Sequence, residues 1–241
     1  MKRMILVMQR DYREMKSTAA FRIMLGISGF VTAGASIGIS IALRLQSWYG
    51  VKEAAPFLDL IISLVVYFLP LFVMLAFTWG FASIQITNEK VNGNIECLLA
   101  APLSPRALWM GKCLAVFVPS YLVSAAASLI VIAVLNFAAI LPGWGFSVIP
   151  IPALITGLVV NPLLFFALLA FLVLFSLANN PDIAVAPTLV FGFGLMVGMP
   201  VGLITGAFNI ASCPFTLWYL VGTITVWMIV FYLSRLLTLQ N

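Results

Sequence analysis

Six uncharged stretches, at residues 23–43, 60–84, 113–135, 153–177, 183–203 and 216–233, decide what this chain can fold into. At 1.5 Å of rise per residue, each is long enough as a helix to cross a hydrocarbon core of about 30 Å, or nearly so. Backbone groups in lipid must be satisfied within the segment, so such runs become helices. The composition agrees: 63% of the 241 residues are hydrophobic and 8% are charged, with a mean hydropathy of +1.17. A water-soluble domain of this size lacks the interior to hide that much apolar surface. The expected fold is an all-α integral membrane protein, with residues 1–241 forming one transmembrane domain of six helices.

The placement of charge sets an expected orientation. Residues 1–22 carry six basic side chains, residues 85–112 add Lys90, Arg106 and Lys112, and Arg235 follows the last span. The opposite side holds only Arg44 and Lys52. Ten against two, by the positive-inside rule, places both termini and residues 85–112 in the cytoplasm of a multi-pass cell-membrane protein. The twelve basic residues and the pI near 9.3 therefore follow membrane topology. They form no aromatic-interleaved patch for nucleic acid.

Several chemistries are excluded. The chain has no histidine, which removes the commonest metal ligand and general base and leaves no Ser-His catalysis; no metal site is expected. The acids lie in loops, near the N-terminus or, as Asp59 and Asp182, at span ends, so no carboxylate stands ready in the membrane to bind a coupling ion. Gly111-Lys112-Cys113 has the Gly-Lys pair of a phosphate-binding loop, but Arg106 stands in place of its first glycine and Cys113 in place of the hydroxyl. Lys112 reads instead as a snorkelling residue at the edge of span three. Cys97 and Cys113 are expected on one side and Cys213 on the other, so no disulfide framework follows. A chain of this kind binds no cofactor of its own, and is either passive or driven by another protein.

Around the spans, residues 1–22 read as one amphipathic helix, with Ile5, Met8, Tyr12, Met15 and Ala19 as its apolar stripe beside a basic face, lying near anionic headgroups or against a partner. Ala33-Gly34-Ala35 resembles a signal-peptidase site, but the apolar run continues past it, which favours a retained span. Trp48 and Tyr49 read as interfacial aromatics, residues 136–152 as a Pro/Gly-rich connection holding Trp144, and Asn161-Pro162 as a kink. Residues 206–214 are too apolar for an ordinary loop and read as re-entrant. Gly34 and Gly38, and the row Gly194, Gly198, Gly202 and Gly206, mark sites of close helix approach, within one chain or between two copies.

Residues 85–112 form the one long polar-edged interruption. Asn92-Gly93 signals a turn, Asn94 is able to cap a helix, and Ile95, Leu98 and Leu99 share one face of a short helix stopped by Pro102. Ser104-Pro105 then starts the next helix. Two turns are not stable alone, so this short helix lies either on the bilayer and neighbouring loops or on a soluble partner.

The pattern Glu89-Lys90-x-x-Gly93-x-x-Glu96-x-Leu98-Leu99-x-x-Pro102-Leu103-Ser104, followed by Leu108-x-x-Gly111-Lys112, resembles the signature of type-2 ATP-binding cassette (ABC) transporter permeases. It covers about a tenth of the chain, and the spans, their topology and the basic N-terminal helix agree with it. The resemblance implies a six-span permease that pairs with a second copy, as a homodimer, and with separate ATPase subunits that bind ATP and Mg. It further implies that the short helix around residues 95–100 is a coupling helix, with Glu89, Gly93, Ile95, Glu96, Leu98, Leu99 and Pro102 in the docking surface, and that residues 1–22 form an interfacial connecting helix. It implies an exporter without an ATPase site of its own, and the absence of a sizeable outer domain argues against recognition of a large ligand there. A membrane scaffold that recruits a cytoplasmic protein without transport is the alternative reading. An intramembrane enzyme ranks below both, since the chain offers no catalytic cluster.

Overall fold

The computed structural model describes residues 2–83, 104–177 and 182–239. All regular structure among them is helical. Helix α1 (Lys2–Ser17) meets α2 (Ala19–Arg44) at Thr18, whose hydroxyl donates to Met15 O at 2.7 Å and accepts from the Phe21 N–H at 3.3 Å. The single helix expected over residues 1–22 is therefore two, because a threonine in extended conformation caps the second one. Arg22 belongs to α2.

A 3-10 turn (Lys52–Ala54) leads into α3 (Ala55–Phe77), which starts earlier than the apolar run suggests and continues as a π-helical turn (Thr78–Ser83). Helix α4 (Pro105–Leu135) opens as expected, with Ser104 Oγ accepting from the Ala107 N–H and proline in the first turn. It does not end there. A π-helical segment (Asn136–Ile140) carries it into α5 (Leu141–Trp144), and Gly145, at φ 76°, terminates the run. The connection expected over residues 136–152 is thus largely helix. Asn136 explains this, since its side chain donates to Ile132 O at 2.9 Å and exchanges bonds with the Val148 backbone at 2.7 and 3.0 Å, tying the loop back to the helix.

Next come α6 (Ile151–Ile155), a π-helical segment (Thr156–Val160), α7 (Asn161–Leu177), α8 (Asp182–Ile204) and α9 (Cys213–Leu239). Five segments among the described residues are long and apolar enough to cross a membrane: Ala19–Arg44, Lys52–Phe77, Arg106–Trp144, Ile151–Leu174 and Cys213–Arg235. The remaining expected span falls on α8, a helix of 23 residues whose Gly194–Ile204 portion is apolar.

Two apolar clusters close the ends of the bundle. Met15, Phe21, Phe77, Phe81, Cys113 and Val173 meet at the α1 end. Leu43, Leu58, Tyr67, Ile140, Trp144 and Phe215 meet at the other. There Trp144 is buried, not presented to an interface, with its indole N–H on Val51 O at 2.7 Å, while the Tyr49 hydroxyl donates to Ala139 O at 2.9 Å and Arg44 to Ala138 O.

Between the clusters, prolines expose carbonyls that neighbouring helices take up. Pro70 in α3 has no N–H for Val66 O, and beside that opened turn Asn161 donates to Tyr67 O at 3.1 Å. A Cβ built on Gly157 would stand 2.3 Å from Val66 O, so only glycine admits this approach. Pro162 likewise offers nothing to Leu158 O, which accepts from the Tyr121 hydroxyl at 3.3 Å. The kink expected at Asn161-Pro162 is realised as the π-helical segment just before it.

After α8, Gly206 adopts φ +70°, with its N–H on Leu203 O and the Ala207 N–H on Gly202 O, a glycine stop with the paired bonds of a Schellman turn. The chain then folds back against the bundle: Ile210 is fully buried and the Phe208 ring lies on Gly202.

Candidate functional site

The described flank of the signature segment is the start of α4, and α1 is clamped to it. Gly111 makes the contact close: a Cβ there would meet the Val7 side chain at 2.8 Å and Met4 O at 3.1 Å. Any larger residue would push α1 away. One position on, the Lys112 ammonium stands 3.3 Å from the Asp11 carboxylate, with both side chains about 9% exposed. Lys112 therefore does not snorkel to water. The reason lies in the α1 periodicity, because Val7, Asp11 and Met15 recur every four residues and form the buried face. Of the expected stripe of Ile5, Met8, Tyr12, Met15 and Ala19, Met15 belongs to this face and is fully buried, while Ile5 and Tyr12 are exposed.

The clamp continues into the bundle. Trp109 donates its indole N–H to Ala170 O of α7 at 2.9 Å. Phe21 packs edge-on to Tyr12 of α1 and to Phe77 of α3, with ring centroids 6.5 and 6.1 Å apart. Movement imposed on the beginning of α4 thus reaches α1 through an ion pair and a glycine contact, and α7 through an indole hydrogen bond. Among the described residues, no three His, Cys, Asp or Glu side chains gather where a metal ion would sit.

The expected docking residues Glu89, Gly93, Ile95, Glu96, Leu98, Leu99 and Pro102 lie outside the described residues, as does Cys97. The glycine candidates divide. Among the described residues, nothing lies within 4 Å of a Cβ built on Gly34, Gly38, Gly194 or Gly198. Gly202 is packed inside the chain, with a Cβ 2.2 Å from the Phe208 ring, and Gly206 serves the turn.

Two features escaped the sequence reading. Asp11 looked like a stray acid on a basic helix, although its four-residue spacing from Val7 and Met15 was visible. A neutral polar seam also crosses the bundle: the Thr156 and Thr216 hydroxyls are 2.9 Å apart, the Tyr67 and Tyr219 hydroxyls 3.4 Å, and Asn161 is fully buried. Asn161 Oδ1 and Ser63 Oγ are buried without a hydrogen-bond partner. Comparisons with protein-family models, curated proteins and solved structures found no match to this chain.

Proposed function

We propose that the chain is the membrane subunit of an ABC transporter, an exporter that forms the substrate pathway and couples to a separate cytoplasmic ATPase. In this reading it spans the cell membrane six times, with α8 as the fifth span and both termini in the cytoplasm, and works as a homodimer. ATP and Mg bind the partner ATPase.

The observation that carries the reading is the clamp: the Gly111-Lys112 pair that closes the signature pattern is the pair that holds α1. A segment that receives force from an ATPase needs a stiff outlet, and a buried ion pair beside a glycine contact is stiff. Residues 95–100 lie outside the described residues; in this reading Ile95, Glu96, Leu98 and Leu99 dock on the ATPase. The acids nearest the spans, Asp59 and Asp182, stand towards helix ends, which agrees with energy supplied from outside the chain.

The test is co-expression with an ATP-binding cassette subunit encoded beside it, then co-purification and transport-linked ATP turnover. Leu98→Asp places a charge in an apolar contact and is expected to uncouple hydrolysis from transport while leaving insertion intact. Normal coupling in a well-expressed Leu98→Asp chain would remove the exporter reading. Recruitment of a soluble protein with no hydrolysis or transport would favour the scaffold.

A further inference from the structure

A groove of about 550 Å³ runs between α2 and α4, open to the side of the bundle. Leu25, Gly29, Ala33 and Ile37 line it from α2, and Ala126 and Ile130 from α4. Its hydroxyls are already used within their own helix: Ser28 donates to Met24 O at 2.8 Å, Thr32 to Ser28 O at 2.6 Å and Ser36 to Thr32 O at 2.7 Å. The lining therefore offers contact and no unfilled hydrogen bond. Gly29 keeps it open, since nothing lies within 4 Å of a Cβ built there.

A cation marks one mouth. Arg22 is exposed and lies seven residues before Gly29, two helical turns along the same face of α2. From Leu25 to Ile37 the groove extends about 18 Å along the helix, which matches one leaflet of about 15 Å and falls well short of a full crossing. A transmembrane helix of a second copy would overrun it; a single acyl chain would fill it. Gly34 and Gly38 lie on the opposite side of α2, about half a turn away at 100° per residue, so a copy packing there would leave the groove accessible.

We propose that this groove holds an anionic phospholipid, one acyl chain between α2 and α4 and the phosphate on Arg22, drawn from the leaflet on the α1 side. An arginine at the headgroup level and an apolar slot one leaflet long recognise the two ends of one molecule. The proposal rests on the membrane fold alone and stands whether or not the chain transports.

The test is native mass spectrometry of the full chain released from mixed micelles of detergent with equal phosphatidylglycerol and phosphatidylcholine. Retention of about one phosphatidylglycerol per chain is expected, with phosphatidylcholine retained several-fold less. Arg22→Gln is expected to lower phosphatidylglycerol retention several-fold, to the phosphatidylcholine level, by loss of a charge-assisted contact. Gly29→Phe and Ala126→Phe fill the groove from opposite walls and are expected to abolish retention of either lipid. Gly222→Phe, at an open position on α9, is the control and should leave retention unchanged. Wild-type retention in both filled variants, indifference to Arg22→Gln, or loss of a dimer in place of a lipid in the filled variants would each overturn the proposal. Thermal unfolding of every variant identifies any that fails to fold, and the two walls provide independent routes to the same answer.

Discussion

Removing the Lys112 ammonium should release α1 from the bundle. The two large apolar side chains that α1 buries, Val7 and Met15, are worth about 1.5–3 kcal/mol each on transfer from water. Lys112→Ala removes one partner of a nearly buried ion pair, a change that costs up to roughly 3–5 kcal/mol, reduced by the other contact that Asp11 keeps. The penalty approaches the whole apolar gain, and a 16-residue helix without tertiary support is marginal in water. Amide exchange across α1, measured by mass spectrometry in detergent, should accelerate by about two orders of magnitude in Lys112→Ala and equally in Asp11→Ala. The double variant Asp11→Asn with Lys112→Met removes both charges together and should recover most of the protection, because replacing both partners by neutral groups of similar volume is close to free. The resulting non-additivity is the signature of direct coupling. Unchanged α1 protection in both single variants would mean that the ion pair does not hold the helix, and the mechanical argument built on it would fall.

Two further predictions separate packing inside the chain from packing beyond it. At the proline-opened turn of α3, Gly157→Ala should destabilise far more than Asn161→Ala. The first drives a Cβ to 2.3 Å from Val66 O, whereas the second forfeits one interhelical bond worth about 0.6 kcal/mol and also removes an unpartnered oxygen; thermal unfolding in detergent ranks them, and the reverse order would refute the account. Gly202→Leu should lower the unfolding temperature of the single chain because of Phe208, while Gly34→Leu should leave it unchanged and weaken association of copies; a stability loss in Gly34→Leu without any change in oligomeric state would contradict the open face seen there.

The apolar runs made the helices legible, because uncharged stretches of about 20 residues have few alternatives in lipid. Their ends were less so. The run of α4 passes straight through Asn136, which propensity reads as a break, because Val148 satisfies the amide from across the loop. Contacts of that kind depend on tertiary placement and leave no local trace. Thr18 is the opposite case: a residue with ordinary capping chemistry sat inside a continuous apolar and basic pattern, and the pattern outweighed it in the reading although the cap decides the structure. At the candidate site, Lys112 was expected to snorkel to water, whereas it is nearly buried against Asp11. The chain alone offered no means to see that Asp11, 101 residues away in sequence, faces Lys112.

Burial along the bundle is uneven and follows the hydropathy of the segments. The windows on α3 and on α6–α7 are 61% and 72% buried, while those on α2 and α9 are 22% and 17%. The two most apolar segments thus form the core, and the two least apolar are the ones that the described chain leaves largely uncovered. In lipid this carries little penalty, since acyl tails are as apolar as leucine and association relies on close packing and polar contacts. The core pair has both: Gly157 against Val66 O, and Asn161 on Tyr67 O. Helix α2 has its small residues on two opposite faces. One forms the groove with α4; the other carries Gly34 and Gly38 among the exposed Ile23, Ile27, Phe30 and Ile41. In the proposed homodimer a second copy gains most where glycines already permit close approach, which favours the Gly34 face over the groove as the seam that Gly34→Leu tests.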